Sequence, residues 1–297
     1  MKNKIRIVIN QFRARKSIRL FFWWLVLRLM KRLRIDFKSP NCSNIKKIDI
    51  VIPTVSKDFE ILALALESLK FVCQPINKIY IVAPRDEKIE KFCAEKKLIF
   101  VDEISVLGFG KNYINYCVDG KDRSGWLFQQ LLKLSGDQFV EMDNYLVVDS
   151  DTVYVSPNCF MRDDEYVFYA NEEWHQPYFD SFKKLFGYRA PTKWSLTSHM
   201  MIFNKAFLGK MKQELERHSR QKWFDAYIST SSSTETSCVS DYETYANWVL
   251  HNYPEKVHIK PFYNRNVLRS EKDSLTTLSE TYKLQHSISF HSYLEKR

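Results

Sequence analysis

Short apolar runs alternate with longer mixed segments along the first half of the chain. Ile48–Pro53 (IDIVIP), residues 76–82 (INKIYIV), 98–101 and 145–148 are each nearly unbroken in apolar character and bounded by charged or turn-forming residues. Such runs predict strands buried on both faces. Between them, residues 59–71 (FEILALALESLKF) and 87–96 have the length and composition of helices. Strands and helices taking turns predict a parallel sheet in an α/β domain. Ligands of such sheets collect beyond the carboxyl ends of the strands. Residues 54–58, 83–86 and 149–151 are therefore expected to open on one crevice.

The second half is less regular. Residues 124–134 read as a helix with two stripes, Trp126, Gln129, Gln130 and Lys133 on one and Leu127, Phe128, Leu131, Leu132 and Leu134 on the other. The polar stripe is either a solvated face or the lining of a sugar-phosphate pocket. Strands are expected over 166–171, 198–204 and Val257–Pro261, and a helix over 207–218. Between them lies an aromatic and polar segment running from Glu172 and Glu173 through Trp174, His175 and Gln176 to Phe179, either a saccharide platform or a core edge. Residues 108–111 (GFGK) and 229–237 (STSSSTETS) read as mobile loops. Asp241 and Glu243 open a helix, with Asp241 at or near its N-cap. In the last segment, alternation puts Ser287, Ser289 and His291 on one face and His286 on the other.

Charge divides the chain unevenly. Residues 1–40 hold twelve Lys and Arg against one acid, Asp36, a net +11, while the remainder holds 33 basic and 34 acidic residues, a net −1. The body itself is thus no candidate for nucleic-acid binding. Inside the basic segment, residues 20–27 (LFFWWLVL) are apolar, too few to span a bilayer, which takes about 20. Ile18, Phe22, Leu25 and Leu29 share one helical face, with Lys16, Lys31 and Arg34 opposite. The expectation is an amphipathic helix lying on an anionic membrane, Trp23 and Trp24 at headgroup level, against the alternative of a helix packed on the body. Residues 39–41 close this extension, leaving 1–40 as a membrane-associating segment and 41–297 as the catalytic domain. Six scattered cysteines without a C-x-x-C pair suit a reducing compartment, and the expected location is the cytoplasmic face of the plasma membrane.

The chemistry concentrates where residues 145–148 end, at Asp149-Ser150-Asp151. Two carboxylates at the end of a buried strand need a cation or hydrogen-bond donors, since a buried unpaired charge costs several kcal/mol. Mg²⁺ or Mn²⁺ suits carboxylate oxygens and leaves positions for phosphate. Without a bound cation the pair is expected to be strained.

An apolar strand ending in D-x-D, together with GWLFQQLLKL, LVVDSDTVYV, SHMMIFNK, SDYETYANW and a C-terminal SFHSY, resembles bacterial GT-A-fold, D-x-D-containing glycosyltransferases of surface-polysaccharide (lipopolysaccharide or capsule) synthesis. The resemblance covers roughly residues 48–293. It implies a Rossmann-like, mostly parallel sheet with flanking helices, residues 48–155 binding a nucleotide-sugar donor (uridine diphosphate-linked hexose in the commonest case) and 156–297 binding a saccharide or lipid-linked saccharide acceptor. It implies Mn²⁺ or Mg²⁺ on Asp149, Asp151 and His291, with His286 as the rival histidine. It places Thr54, Asp58, Arg85, Trp126, Gln130 and Lys133 with the donor, Trp174, His175 and His199 with the acceptor, and Asp241 or Glu243 as the base of an inverting transfer. Lys133 is expected to steady the leaving diphosphate. Two other classes stay open: a nucleotidyltransferase, disfavoured by a 54–58 loop without glycine, and a non-catalytic membrane adaptor that keeps the fold.

Overall fold

The computed structural model describes residues 15, 17–37 and 46–291; the expected boundary at 39–41, Lys16 and the segments 1–14 and 292–297 lie outside them. A five-stranded sheet forms the centre, in the order Met200–Asn204, Asn144–Val148, Ile48–Pro53, Ile76–Ala83 and Ile99–Asp102. The last four run parallel, and Met200–Asn204 runs antiparallel at the edge. The expected mixed α/β architecture with a mostly parallel sheet is what the chain forms. Ile48–Pro53 and Asn144–Val148 are buried along their whole length, which is why they are apolar without alternation.

One polar residue in that core shows how burial is offset. Asp49 Oδ1 accepts from Asn77 Nδ2 at 3.0 Å and Lys78 N at 3.1 Å, and Oδ2 from Glu141 N at 2.7 Å and Met142 N at 2.8 Å. Four donors satisfy the carboxylate and tie the first strand to the entrance of the central one. This is the end of the sheet away from the D-x-D turn.

Helices begin where side chains can take the first free N–H groups. Asp86 caps Glu87–Glu95, Asn204 caps Lys205–Ser219, and Ser240 caps Asp241–Asn252 by accepting from Glu243 N at 3.3 Å. Asp241 is therefore the first helical residue, and its carboxylate is left for other work.

Two smaller sheets extend the core. Glu165–Ala170 pairs with Val257–Pro261 and Met161–Arg162; Ser287–Ser289 pairs antiparallel with Thr152–Tyr154 and parallel with Asn264–Asn266. A second apolar cluster, including Val153, Leu275, Leu278, Ile288 and Phe290, packs under the latter sheet. It fixes the chain end beside the D-x-D turn, where Phe290 N donates to Asp151 O at 2.9 Å.

Neither loop expected to be mobile is untethered. Gly108 closes the helix Glu103–Leu107 at φ +76°, and Phe109 packs on Phe128, Tyr113 and Phe224. Residues 229–237 are pinned through backbone oxygens: Arg123 Nε donates to Thr236 O at 2.7 Å, and His175 Nε2 meets Ser237 O at 2.7 Å.

The N-terminal helix, Ile18–Arg32, packs on the body. Trp24 and Leu27 are buried, Trp194 Nε1 donates to Trp23 O at 2.8 Å, and Lys31 pairs with Glu172 at 3.2 Å. The tryptophans thus serve this contact rather than a headgroup layer. The face holding Ile18, Phe22, Leu25 and Leu29 is the one turned outward.

Candidate active site

The register of the two strands at the sheet edge builds the first half of the site. Val148 pairs with Met200, so the next residues outward, Asp149 and His199, are cross-strand neighbours, and Asp149 N donates to His199 O at 2.9 Å. His199 takes φ +59°, a left-handed conformation unusual for a residue with a side chain. Its Nδ1 lies 3.2 Å from Asp149 Oδ2.

The other oxygen, Asp149 Oδ1, accepts from Lys133 Nζ at 2.6 Å and Tyr242 OH at 3.0 Å. Lys133 reaches it from the end of the helix Ser124–Lys133, with Gln130 one turn earlier accepting from Asp241 N at 3.0 Å. Burial alone would raise the Asp149 carboxyl, but the Lys133 ammonium and His199 outweigh it and hold the group well below the usual range. Burial alone would lower Lys133 and His199; Asp149, Asp241 and Asp151 raise Lys133, and Asp149 with Asp151 raises His199 against the opposing Lys133 charge.

Asp151 has a separate partner. Its Oδ2 lies 3.1 Å from His291 Nδ1, and the His291 and His199 rings are 4.8 Å apart. The two aspartates are not the strained, uncompensated pair that their spacing predicts; each has its own cationic or donating partner. His286, the rival for His291, is buried against Phe37 and meets its carbonyl at 2.8 Å, with burial pushing its imidazole down to about 4. It is away from the turn.

The two candidate bases part company. Asp241 is buried with Oδ2 3.7 Å from Lys133 Nζ and no hydrogen bond to that oxygen among the described residues. Burial lifts its carboxyl to about 6, with Lys133 opposing. Glu243 is committed elsewhere: Oε1 accepts from Ser195 Oγ and Leu196 N (2.7 Å), Oε2 from Asn247 Nδ2 at 3.0 Å. Burial pushes it to about 7. It anchors residues 195–197, the approach to His199.

Of the other expected residues, Thr54 is buried at the carboxyl end of the first strand, its hydroxyl without a hydrogen-bond partner among the described residues. Asp58 is bonded to Arg269, which also donates to Lys57 O at 2.6 Å and straps the 56–58 turn to the C-terminal part. Arg85 is largely exposed, 3.5 Å from Asp102 and 3.9 Å from Glu90. Trp126 lies under Arg123 (4.8 Å) and beside Tyr116, apart from the aspartates. Trp174 stacks on Phe179 at 3.8 Å and His175 Nε2 meets the 237 carbonyl at 2.7 Å, contacts within the protein. His199, expected with the acceptor, joins the D-x-D turn instead.

A cavity of about 100 Å³ opens beside the two histidines, lined by His199, His291, Asn171, Glu173, Asn264 and Asn266, with Phe262 and Lys31 completing it. Among the described residues Glu173 is the one carboxylate in its lining. Sequence reasoning singled out neither asparagine of the 264–266 strand, because nothing local marks it as near residue 149.

Among the described residues no three His, Cys, Asp or Glu side chains converge on one point. An all-protein cage is not what a diphosphate-linked ion requires; Mg²⁺ commonly takes one or two carboxylates plus substrate phosphates. His291 lines the cavity and Asp151 Oδ2 lies 3.1 Å from its Nδ1, so an oxygen and a nitrogen stand together there and fit that pattern. Asp149 does not, as both its oxygens are engaged.

Residues 45–288 match the Family of unknown function (DUF6492), and the chain belongs to it. No curated protein matches it by sequence. Among solved structures it is similar to mouse xyloside xylosyltransferase 1 in the apo form, at 13% identity and TM-score 0.46 over 84% of this chain and 99% of that one. It is similar to the galactosyltransferase LgtC in complex with donor and acceptor sugar analogues, at 11% identity and TM-score 0.43 over 82% and 87%. The apo bifunctional glycosyltransferase WbbM gives 10% and 0.45 over 86% of this chain and 47% of that one. Each likeness is one of chain path alone.

Proposed function

We propose that the protein is a glycosyltransferase that moves a hexose from a nucleotide-sugar donor to a saccharide acceptor in cell-surface polysaccharide synthesis. The observation that carries the reading is the Asp149–Asp151 turn at the carboxyl end of the central strand, with Lys133, His199, Asp241 and His291 gathered on it and a polar cavity alongside.

The roles follow from the contacts. Asp151 and His291 would hold a divalent ion, Mn²⁺ or Mg²⁺, which would offset charge on the departing diphosphate. Lys133 is bonded to Asp149 and faces Asp241, so its work is to keep both carboxylates buried and ionised rather than to meet the diphosphate. The Asn171, Asn264 and Asn266 amides on the cavity wall orient sugar hydroxyls. As the anomeric carbon passes from diphosphate to acceptor oxygen, the acceptor hydroxyl proton must leave. Asp241, with one oxygen free of hydrogen bonds among the described residues and a carboxyl lifted to about 6, takes it. A base tuned towards neutrality typically contributes about 10²–10⁴-fold.

A thermal-shift screen of nucleotide sugars, with and without Mn²⁺, tests the reading. The true donor at a hundred times its Kd stabilises the fold by about 2.7 kcal/mol, and only with the ion present. Stabilisation by nucleoside triphosphates and none by any nucleotide sugar would move the protein to the nucleotidyltransferases.

A further inference from the structure

We propose that the outward face of the N-terminal helix docks on an anionic lipid bilayer, and that this seats the cavity at the lipid surface to receive a lipid-carried acceptor. The second clause rests on the glycosyltransferase reading; the first does not.

Ile18, Phe22, Leu25, Leu29 and Leu33 recur at helical spacing and are 78, 57, 44, 56 and 61% exposed. With Ile35 they make six of the eleven exposed large hydrophobic side chains among the described residues, so they form a patch rather than scatter. At 100° per residue Arg28 and Arg32 border the stripe on one side and Arg19 on the other. This is the arrangement of an interfacial helix, apolar along the middle and basic at the edges. No helix among the described residues is long and apolar enough to cross a membrane.

Charge selects the occupant. Residues 1–40 carry +11 and the rest of the chain −1, so attraction for an anionic surface resides in this segment. A second copy docked here would set one such basic face against another, whereas anionic headgroups neutralise it.

The helix is no loose tether. Its opposite face buries Trp24 and Leu27, Lys31 pairs with Glu172, and Tyr263 OH donates to Ile35 O at 2.8 Å. The same Lys31 lines the cavity beside His199 and His291. Stripe and cavity therefore lie on opposite sides of one helix, about 10 Å apart. An acceptor entering there stands only a short saccharide away from its lipid.

The test uses the full chain with vesicles of phosphatidylglycerol and phosphatidylcholine, and of phosphatidylcholine alone. The parent sediments with the anionic vesicles. Phe22→Glu with Leu29→Glu weakens this by about tenfold or more, since two apolar side chains no longer enter the lipid. Arg19→Glu with Arg32→Glu abolishes the preference for phosphatidylglycerol. Both variants keep the parent's melting temperature, because the altered side chains are exposed. Transfer to a lipid-linked saccharide falls in the Phe22/Leu29 variant while transfer to a soluble saccharide persists. Equal sedimentation of the Phe22/Leu29 variant overturns the docking face. So does a parent dimer that this variant converts to a monomer without change in vesicle binding, which would make a second copy the occupant. Vesicle binding that behaves as stated, with no transfer to either acceptor, upholds the docking and overturns the acceptor clause.

Discussion

The ammonium of Lys133 donates to Asp149 Oδ1 at 2.6 Å from a position almost closed to solvent. That single contact makes the first aspartate of the turn a structural carboxylate as much as a chemical one. Replacing Lys133 by methionine keeps the volume and strands the carboxylates of Asp149 and Asp241. Removing one partner of a buried pair costs roughly 3–5 kcal/mol. Denaturant unfolding of Lys133→Met should give a loss of that order, and an unchanged midpoint would show the pair to be energetically idle.

The two aspartates should then respond differently to the same change. Asp149→Asn leaves buried Lys133 with only the more distant Asp241 as an ion-pair partner among the described residues and should unfold more easily than the parent, by a few kcal/mol in order of magnitude. Asp151→Asn meets only His291 and should alter stability little, while removing the ion-dependent part of donor affinity. Titration calorimetry of the donor against Mn²⁺, beside urea melts of both variants, separates the cases. Donor affinity that stays equally ion-dependent in Asp151→Asn would remove that residue from the ion.

For the base, Asp241→Asn should lower turnover by about 10²-fold or more with donor affinity kept. Glu243→Gln should keep turnover within about tenfold of the parent, because its carboxylate serves the 195–197 backbone. Glu173→Gln, on the cavity wall, should act on KM for the acceptor. Turnover lost at residue 173 and kept at 241 would transfer the role.

Stability should fall as pH rises from about 5 to 8. Glu243 and Asp241 are raised to about 7 and about 6, so the folded chain binds their protons more tightly than the unfolded one. Their contribution is complete below the unfolded carboxyl values, about pH 4, and is lost as pH climbs through 6 and 7. His199 is also raised, and its contribution disappears as pH rises above the unfolded histidine value, about 6.5. Asp149 is lowered and acts oppositely, its contribution vanishing as pH drops below about 4. His286, lowered to about 4, offsets part of the fall in stability as pH rises to the unfolded histidine value of about 6.5. Melting temperatures across this range should decline more gently in Glu243→Gln; an identical slope would mean that Glu243 does not titrate there.

The parallel strands, the D-x-D turn and the helix carrying Lys133 were legible because each is signalled within a few residues: an apolar run, a charge pair, a stripe. The partnership of Lys133 with Asp149 was less so, since the polar stripe alone suits solvent as well as a site. His199 looked like an isolated histidine because the pairing that brings it to Asp149 joins residues fifty positions apart. The asparagines of the 264–266 strand and the Arg269 strap over Asp58 depend on still longer returns of the chain, 211 positions for the strap. Trp174 and His175 show the opposite case. Aromatic and amide groups close in sequence also pack well on one another, and here they do.

Because Val148 faces Met200 in an antiparallel pair, the site inherits a rule about chain length. Residues added in the surface turns between the helices Lys205–Ser219 and Asp241–Asn252 change no pairing at the sheet edge. One residue added within Asn144–Val148 or Met200–Asn204 shifts the pairing by a step, turns alternate side chains to the opposite face and takes the imidazole away from Asp149. Divergent copies of this chain should therefore vary freely in the length of that outer excursion, while the interval from each edge strand to its aspartate or histidine stays constant.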